Sequence, residues 1–199
     1  MPRAFVAVVL GEAAKKALAS QINRLRPLTK AVTWVPPANL HVTLRFLGDQ
    51  TEKQLLDVMV ALREAADGVS TFSMKLRGLG AFPGLEHPRT IWVGISDGLA
   101  ELKHLQARVA EALARRGTPE EPGIWQAHIT IGRIPAQRRW RREGLAEVRS
   151  GLIRAGATTF GKTSVGSIEL LRSDLSATGA RYGRCCSSTP RRRRSSSAR

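Results

Sequence analysis

Two short segments of this chain, His41-Val42-Thr43-Leu44 and His128-Ile129-Thr130-Ile131, repeat one pattern of polar and branched apolar residues, 87 positions apart. Each lies in a β-rich stretch, 40–47 and 127–134. In a strand, alternate side chains share a face, so His41 and Thr43 point one way while Val42 and Leu44 point the other. His128 and Thr130 stand in the same relation to Ile129 and Ile131. Each strand therefore needs a packed layer over its apolar face and leaves an imidazole and a hydroxyl on the opposite one. A single strand of this kind reads as an exposed edge or a satisfied core histidine. Two of them, in a chain with only four histidines, point to a shared polar site.

The sequence around these strands supplies the covering layer. Arg3–Leu10 is β-rich, and the following 12–26 carries a helical stripe at Ala14, Leu18, Ile22 and Leu25. Ala31–Val35 is a further strand candidate, separated from 40–47 by Pro36-Pro37, which forbids one continuous helix there. Thr51 and Gln54 form a capping box that opens a helix with its stripe at Leu55, Met59, Leu62 and Ala66. Strands at 72–79 and 90–96 flank a Gly/Pro-rich loop. Leu102, Leu105, Val109 and Leu113 mark another helix, 137–149 a very basic one, and 164–171 a last strand. Strands and helices intermixed in this way, with neighbouring strand pairs, predict an α+β fold rather than a doubly wound parallel sheet.

Composition narrows the partners. The net charge is +16, from 32 Lys and Arg against 16 Asp and Glu, and the pI is about 11.4. Seven arginines lie in 181–199, which holds no acid, so the rest of the chain keeps a charge of +9. A body this basic suits a polyanion such as RNA, although charge serves solubility too. No apolar run approaches the roughly 18 residues that cross a bilayer, so no membrane association is expected. The apolar run 4–10 is strand-sized and is soon followed by Glu12, Lys15 and Lys16, unlike a secretory signal. The only cysteines, Cys185 and Cys186, are adjacent and offer neither a disulfide framework nor a zinc ribbon. A reducing cytoplasm is the expected compartment, a monomer the expected state, and no partner protein is implied.

Two imidazoles, each beside a hydroxyl, provide what phosphodiester chemistry needs without a metal or other cofactor. One accepts a proton from the nucleophile and the other donates one to the leaving oxygen, while the hydroxyls hold phosphate oxygens. The segments Asn39–Asp49 (NLHVTLRFLGD) and Ala127–Arg133 (AHITIGR) resemble the paired motifs of the 2H phosphoesterase superfamily. The nearest members are the RNA 2′,3′-cyclic phosphodiesterases, also called 2′-5′ RNA ligases. The resemblance covers about 3–182, including Pro88–Val93, Leu171–Leu175, Gly179 and Tyr182. It implies a bilobal fold of two antiparallel sheets flanked by helices around a central cleft, and no metal. It also implies opening of RNA 2′,3′-cyclic phosphate ends to 2′-phosphates, with 2′-5′ joining in reverse. Carried over, His41 is the proton donor, His128 the proton acceptor, and Thr43 and Thr130 the phosphate ligands. Arg133 is a further candidate phosphate contact or a solvated strand end, Phe46 a candidate for packing or stacking, and Trp125 a core or cleft-wall residue and the tryptophan best placed to touch a base. Alternatives are a phosphodiesterase for a small cyclic phosphate, nucleotide or ADP-ribose derived, and a non-catalytic RNA-binding protein. Turnover of a nucleoside 2′,3′-cyclic phosphate separates enzyme from binder.

After Tyr182 the family pattern calls for a hydrophobic strand, whereas this chain continues Gly183-Arg184-Cys185-Cys186-Ser187-Ser188. The expected division is therefore a phosphoesterase domain at 1–182 and a basic Ser/Arg tail at 183–199, disordered from about 187, whether a replacement or the product of a frame shift. Gly156–Thr163 matches the P-loop pattern in letters, but a helix is expected before it and a strand after it, the reverse of what phosphate binding there requires. His87 and His104 lack partners at ligand spacing and read as solvated surface. Trp34 and Trp92 read as core or cleft wall. The arginines 138, 139, 141 and 142 around Trp140 form a basic patch suited to tracking RNA phosphates.

Overall fold

The computed structural model describes residues 3–135, 145–176 and 179–189. Nine strands form one curled antiparallel sheet. They are β1 (Arg3–Val9), β2 (Thr33–Trp34), β3 (His41–Asp49), β4 (Phe72–Phe82), β5 (Thr90–Ile95), β6 (Ile129–Arg133), β7 (Thr159–Val165), β8 (Ile168–Ser176) and β9 (Gly179–Ser188). Their order is β7-β4-β5-β6-β3-β1-β8-β9, with β2 paired to the end of β6. Four helices accompany them: α1 (Glu12–Leu25), α2 (Glu52–Ala66), α3 (Leu99–Ala114) and α4 (Leu145–Arg154).

The two motif strands lie at the centre. β3 and β6 touch through a single bridge, Val42 to Ile129, so a five-stranded half (β2, β4, β5, β6 and β7) and a four-stranded half (β1, β3, β8 and β9) are joined at the residues that follow the two histidines. The two sheets implied by the resemblance are thus continuous in hydrogen bonding and change direction at the motifs. Val42, Leu44, Ile129 and Ile131 are fully buried in one core with the inward stripes of the helices, including Leu18, Leu62 and Leu105. His41, Thr43, His128 and Thr130 keep partial exposure on the opposite face.

Local signals place the helices. Thr51 Oγ1 accepts from the Gln54 amide, 3.3 Å, and Gln54 Oε1 accepts from the Thr51 amide, 2.8 Å, completing the capping box of α2. The buried face of α2 includes Val58, with Met59 only partly covered. α1 packs against β7, where the Gly11 amide donates to Thr163 Oγ1 at 2.9 Å. α2 packs against α3 and against β8 and β9.

Two expectations are corrected, and the order of elements around the P-loop-like segment is as expected. The strand expected over 164–171 is two strands, because Gly166-Ser167 turns the chain between β7 and β8. Gly156–Thr163 runs from the end of α4 into β7, the order that a P-loop cannot use. The domain boundary at 182 does not hold, since Gly183–Ser188 belong to β9 and pair with β8 along its length. Cys185 is the extra residue of a bulge, as Leu170 faces Cys186 and Leu171 faces Arg184. The bulge lets both adjacent cysteines pack on the core. Arg184 Nε pairs with the buried Glu169 at 2.9 Å. Of the basic helix expected over 137–149, residues 145–149 stand in α4; Trp140, its neighbouring arginines and the 190–199 part of the tail lie outside the described residues.

Candidate active site

Both histidines sit at strand beginnings, His41 as the first residue of β3 and His128 just before β6. They are held alike. His41 Nδ1 donates to the Asn39 carbonyl at 2.7 Å, and His128 Nδ1 donates to the Gln126 carbonyl at 2.8 Å. In each case the partner is two residues back, before the strand proper. Fixing the Nδ1 proton leaves Nε2 as the working nitrogen, able to accept or return a proton. His41 Nε2 lies 3.1 Å from Thr43 Oγ1, the hydroxyl two residues along on the same face.

Aromatic rings buttress the imidazoles in parallel fashion. Phe82 meets His128 edge to face, with centroids 5.0 Å apart and planes at 89°, and is backed by Trp92 at 5.2 Å. Tyr182 meets His41 at 5.3 Å and 86°, and is backed by Phe5 at 5.0 Å. Phe5 also lies 4.9 Å from His41, within a small cluster with Ala7, Val9 and Leu171 on the cleft side of the sheet. Tyr182 belongs to the family pattern in the sequence, but Phe5 carries no signal beyond a strand-sized apolar run, and Phe82 falls in the stretch read as a Gly/Pro-rich loop, which the structure makes the end of β4. Their contacts with the histidines cross between strands.

The His41 imidazole is pushed down to about 4. Burial is the largest cause, opposed by the hydrogen bond to the Asn39 carbonyl and reinforced by the positive charges of Arg133 and His128. In the free protein His41 is therefore neutral at pH 7, and a proton there awaits an anion. Arg133, exposed at the end of β6, adds its charge to the same region of the cleft.

A cleft of about 400 Å³ opens beside His128 and Thr43, lined also by Phe46, Phe82, Glu121 and Trp125, whereas His41 lines a separate pocket of about 150 Å³ with Tyr182 and Arg184. Phe46 and Trp125 thus both reach the cleft. Trp125 is fixed by its Nε1–H donating to the Thr43 carbonyl at 3.0 Å. The buried Arg45 donates to the Pro119 carbonyl and ties the loop before Trp125 to β3. His87 and His104 are exposed and stand apart from the cleft lining. Among the described residues no three His, Cys, Asp or Glu side chains are grouped to hold a metal, and no helix is long and apolar enough to cross a membrane.

The chain is similar in sequence and fold to known proteins. The family described as LigT like Phosphoesterase matches residues 10–92. An RNA 2′,3′-cyclic phosphodiesterase of Aquifex aeolicus is 34% identical over 181 residues, covering 90% of this chain and 93% of that protein. The structure of TT0787 of Thermus thermophilus matches with a TM-score of 0.73 and 29% identity, over 96% of this chain and 100% of that one. That of E. coli LigT complexed with 3′-AMP has the same fold, with a TM-score of 0.74 at 19% identity over 96% and 99% of the two chains. The fold is that of a 2H phosphoesterase. Within that class the chain belongs to the LigT-like phosphoesterases.

Proposed function

We propose that this protein opens 2′,3′-cyclic phosphates at RNA ends by metal-independent hydrolysis, leaving the phosphate on the 2′ oxygen. The observation that carries the reading is the matched pair of imidazoles, each with Nδ1 spent on a backbone carbonyl and Nε2 left for proton transfer. The names of the relatives, RNA 2′,3′-cyclic phosphodiesterase, support the substrate class. The basic composition suits an RNA end.

In-line displacement requires the attacking water and the departing oxygen on opposite sides of phosphorus. His128 takes a proton from water as it attacks. His41, protonated once the substrate is bound, donates to O3′ as the P–O3′ bond breaks. Thr43, Thr130 and Arg133 hold the non-bridging oxygens, and their hydrogen bonds strengthen as charge builds on the phosphoryl group. With a nucleoside 5′-hydroxyl in place of water, the same proton transfers in the same direction join RNA ends through a 2′-5′ linkage: the P–O5′ bond forms as His128 takes the hydroxyl proton, and the P–O3′ bond breaks as His41 protonates O3′. The energetic work is positioning and proton transfer, which suits a cleft whose walls are rigid strands.

The test is incubation of RNA bearing a 2′,3′-cyclic phosphate with the protein in excess chelator, followed by chromatography against both phosphate isomers. A 2′-phosphate product is expected. A 3′-phosphate would exchange the two histidine roles, and loss of activity restored by a divalent ion would overturn the mechanism.

A further inference from the structure

The lining of the 400 Å³ cleft includes a carboxylate among its polar groups. Glu121 lines it, held by a long hydrogen bond of 3.4 Å from the Phe46 amide to Oε2. Gln106 lines it too, its Nε2 donating to the Leu44 carbonyl at 3.5 Å, which leaves its side-chain oxygen for another partner. Glu121 has no ion-pair partner among the described residues of the wall; the neighbouring Arg45 is committed to the Pro119 carbonyl. A carboxylate in a phosphate-binding cleft of a chain with a net charge of +16 repels the substrate's phosphate. Its place there is explained if it meets hydrogen-bond donors on a part of the substrate remote from phosphorus.

Apolar surface stands beside it. Ile124 is 92% exposed and Phe46 55% exposed, both on this cleft. The Phe46 ring offers a face on which a nucleobase can stack, and Ile124 adds apolar surface beside it. Of the four bases only guanine presents two adjacent donors, N1–H and N2–H, on its pairing edge. Adenine and cytosine present one donor beside an acceptor, and uracil one donor between two carbonyls. A carboxylate accepts without donating, so it takes guanine through both oxygens and meets lone pairs on the other three.

Building on the phosphodiesterase reading above, we infer that Glu121, aided by Gln106, reads the base of the terminal nucleotide and selects guanosine 2′,3′-cyclic phosphate. Arg45 and the Trp125–Thr43 bond position the loop that carries this carboxylate.

The experiment compares kcat/KM for guanosine, adenosine, cytidine and uridine 2′,3′-cyclic phosphates in the native protein and in Glu121→Gln. A preference for guanosine of about tenfold over uridine is expected, the lower end of what a bidentate base contact provides. In Glu121→Gln the preference should shrink to about threefold or less, because Gln keeps the shape but replaces one acceptor by a donor. Equal use of all four bases, or a guanosine preference untouched by Glu121→Gln, overturns the inference. If Glu121 only steadied the Phe46 amide, all four substrates would slow together, which also overturns it. Binding of guanosine and uridine 2′-monophosphates reads the same selectivity without turnover. Guanosine-selective binding without hydrolysis would keep this inference and defeat the phosphodiesterase reading. Equal or absent binding would defeat the inference itself.

Discussion

Binding of a cyclic phosphate should draw one proton out of solution, onto His41. In the free protein its imidazole is pushed down to about 4, so at pH 6 roughly one molecule in a hundred carries that proton. A donor must be charged before the leaving oxygen departs. A cyclic phosphodiester brings one negative charge, worth about 4 kcal/mol at about 4 Å and an effective dielectric constant of about 20. That is roughly three pKa units, enough to lift His41 from about 4 to about 7 in the complex. Substrate should therefore bind with uptake of nearly one proton at pH 6, about half a proton at pH 7 and little at pH 8. The assay is titration calorimetry of His128→Ala, which holds the substrate without activating water, in buffers of different ionisation enthalpy. His41→Gln in the same background should remove the uptake. Binding at pH 6 with less than about a tenth of a proton taken up would refute the donor role.

Other expectations follow from individual contacts. Gly80→Ala sets a Cβ about 2.3 Å from the Trp92 ring, which backs Phe82 and through it His128. It should cost about 1–3 kcal/mol by urea unfolding and slow turnover as well. His41 also ties stability to acid: its folded pKa lies below the unfolded 6.5, so its contribution is present above 6.5 and lost as pH falls toward 4. The loss is about 3 kcal/mol, and His41→Gln should flatten that part of the stability curve. Removing residues 190–199 deletes five arginines and should lower the salt slope of long-RNA binding by up to about 0.7 for each phosphate those arginines neutralise. Turnover of a mononucleotide should not change; a cut before Ser187 should destabilise the fold, because β9 pairs with β8 there.

The sequence disclosed local and repeated features well. The His-x-Thr strands stood out because two polar residues at a spacing of two, opposite fully buried branched residues, are costly without a purpose. The α2 cap was legible because both partners lie within four residues. Features made by the meeting of distant strands were not legible: the Val42–Ile129 junction, Phe82 against His128, and Glu121 on the cleft wall. β9 escaped for another reason. Its core-facing groups are two cysteines brought to one side by a bulge, and its charged Arg184 is spent on a buried Glu169, so neither alternation nor hydrophobicity marks it. The low pKa of His41 likewise depends on burial and on charges contributed by β6, which its own strand does not reveal.

The paired imidazoles are tested most directly by replacing each of the four histidines with alanine and measuring kcat on RNA bearing a 2′,3′-cyclic phosphate. Loss on the order of 100-fold or more is expected for His41→Ala and for His128→Ala, since each removes a proton-transfer group. The exposed His87 and His104 should be replaceable with less than about a twofold change, because neither touches the cleft. Comparable losses at all four positions, or a His41→Ala or His128→Ala protein that folds and turns over at the native rate, would contradict the account.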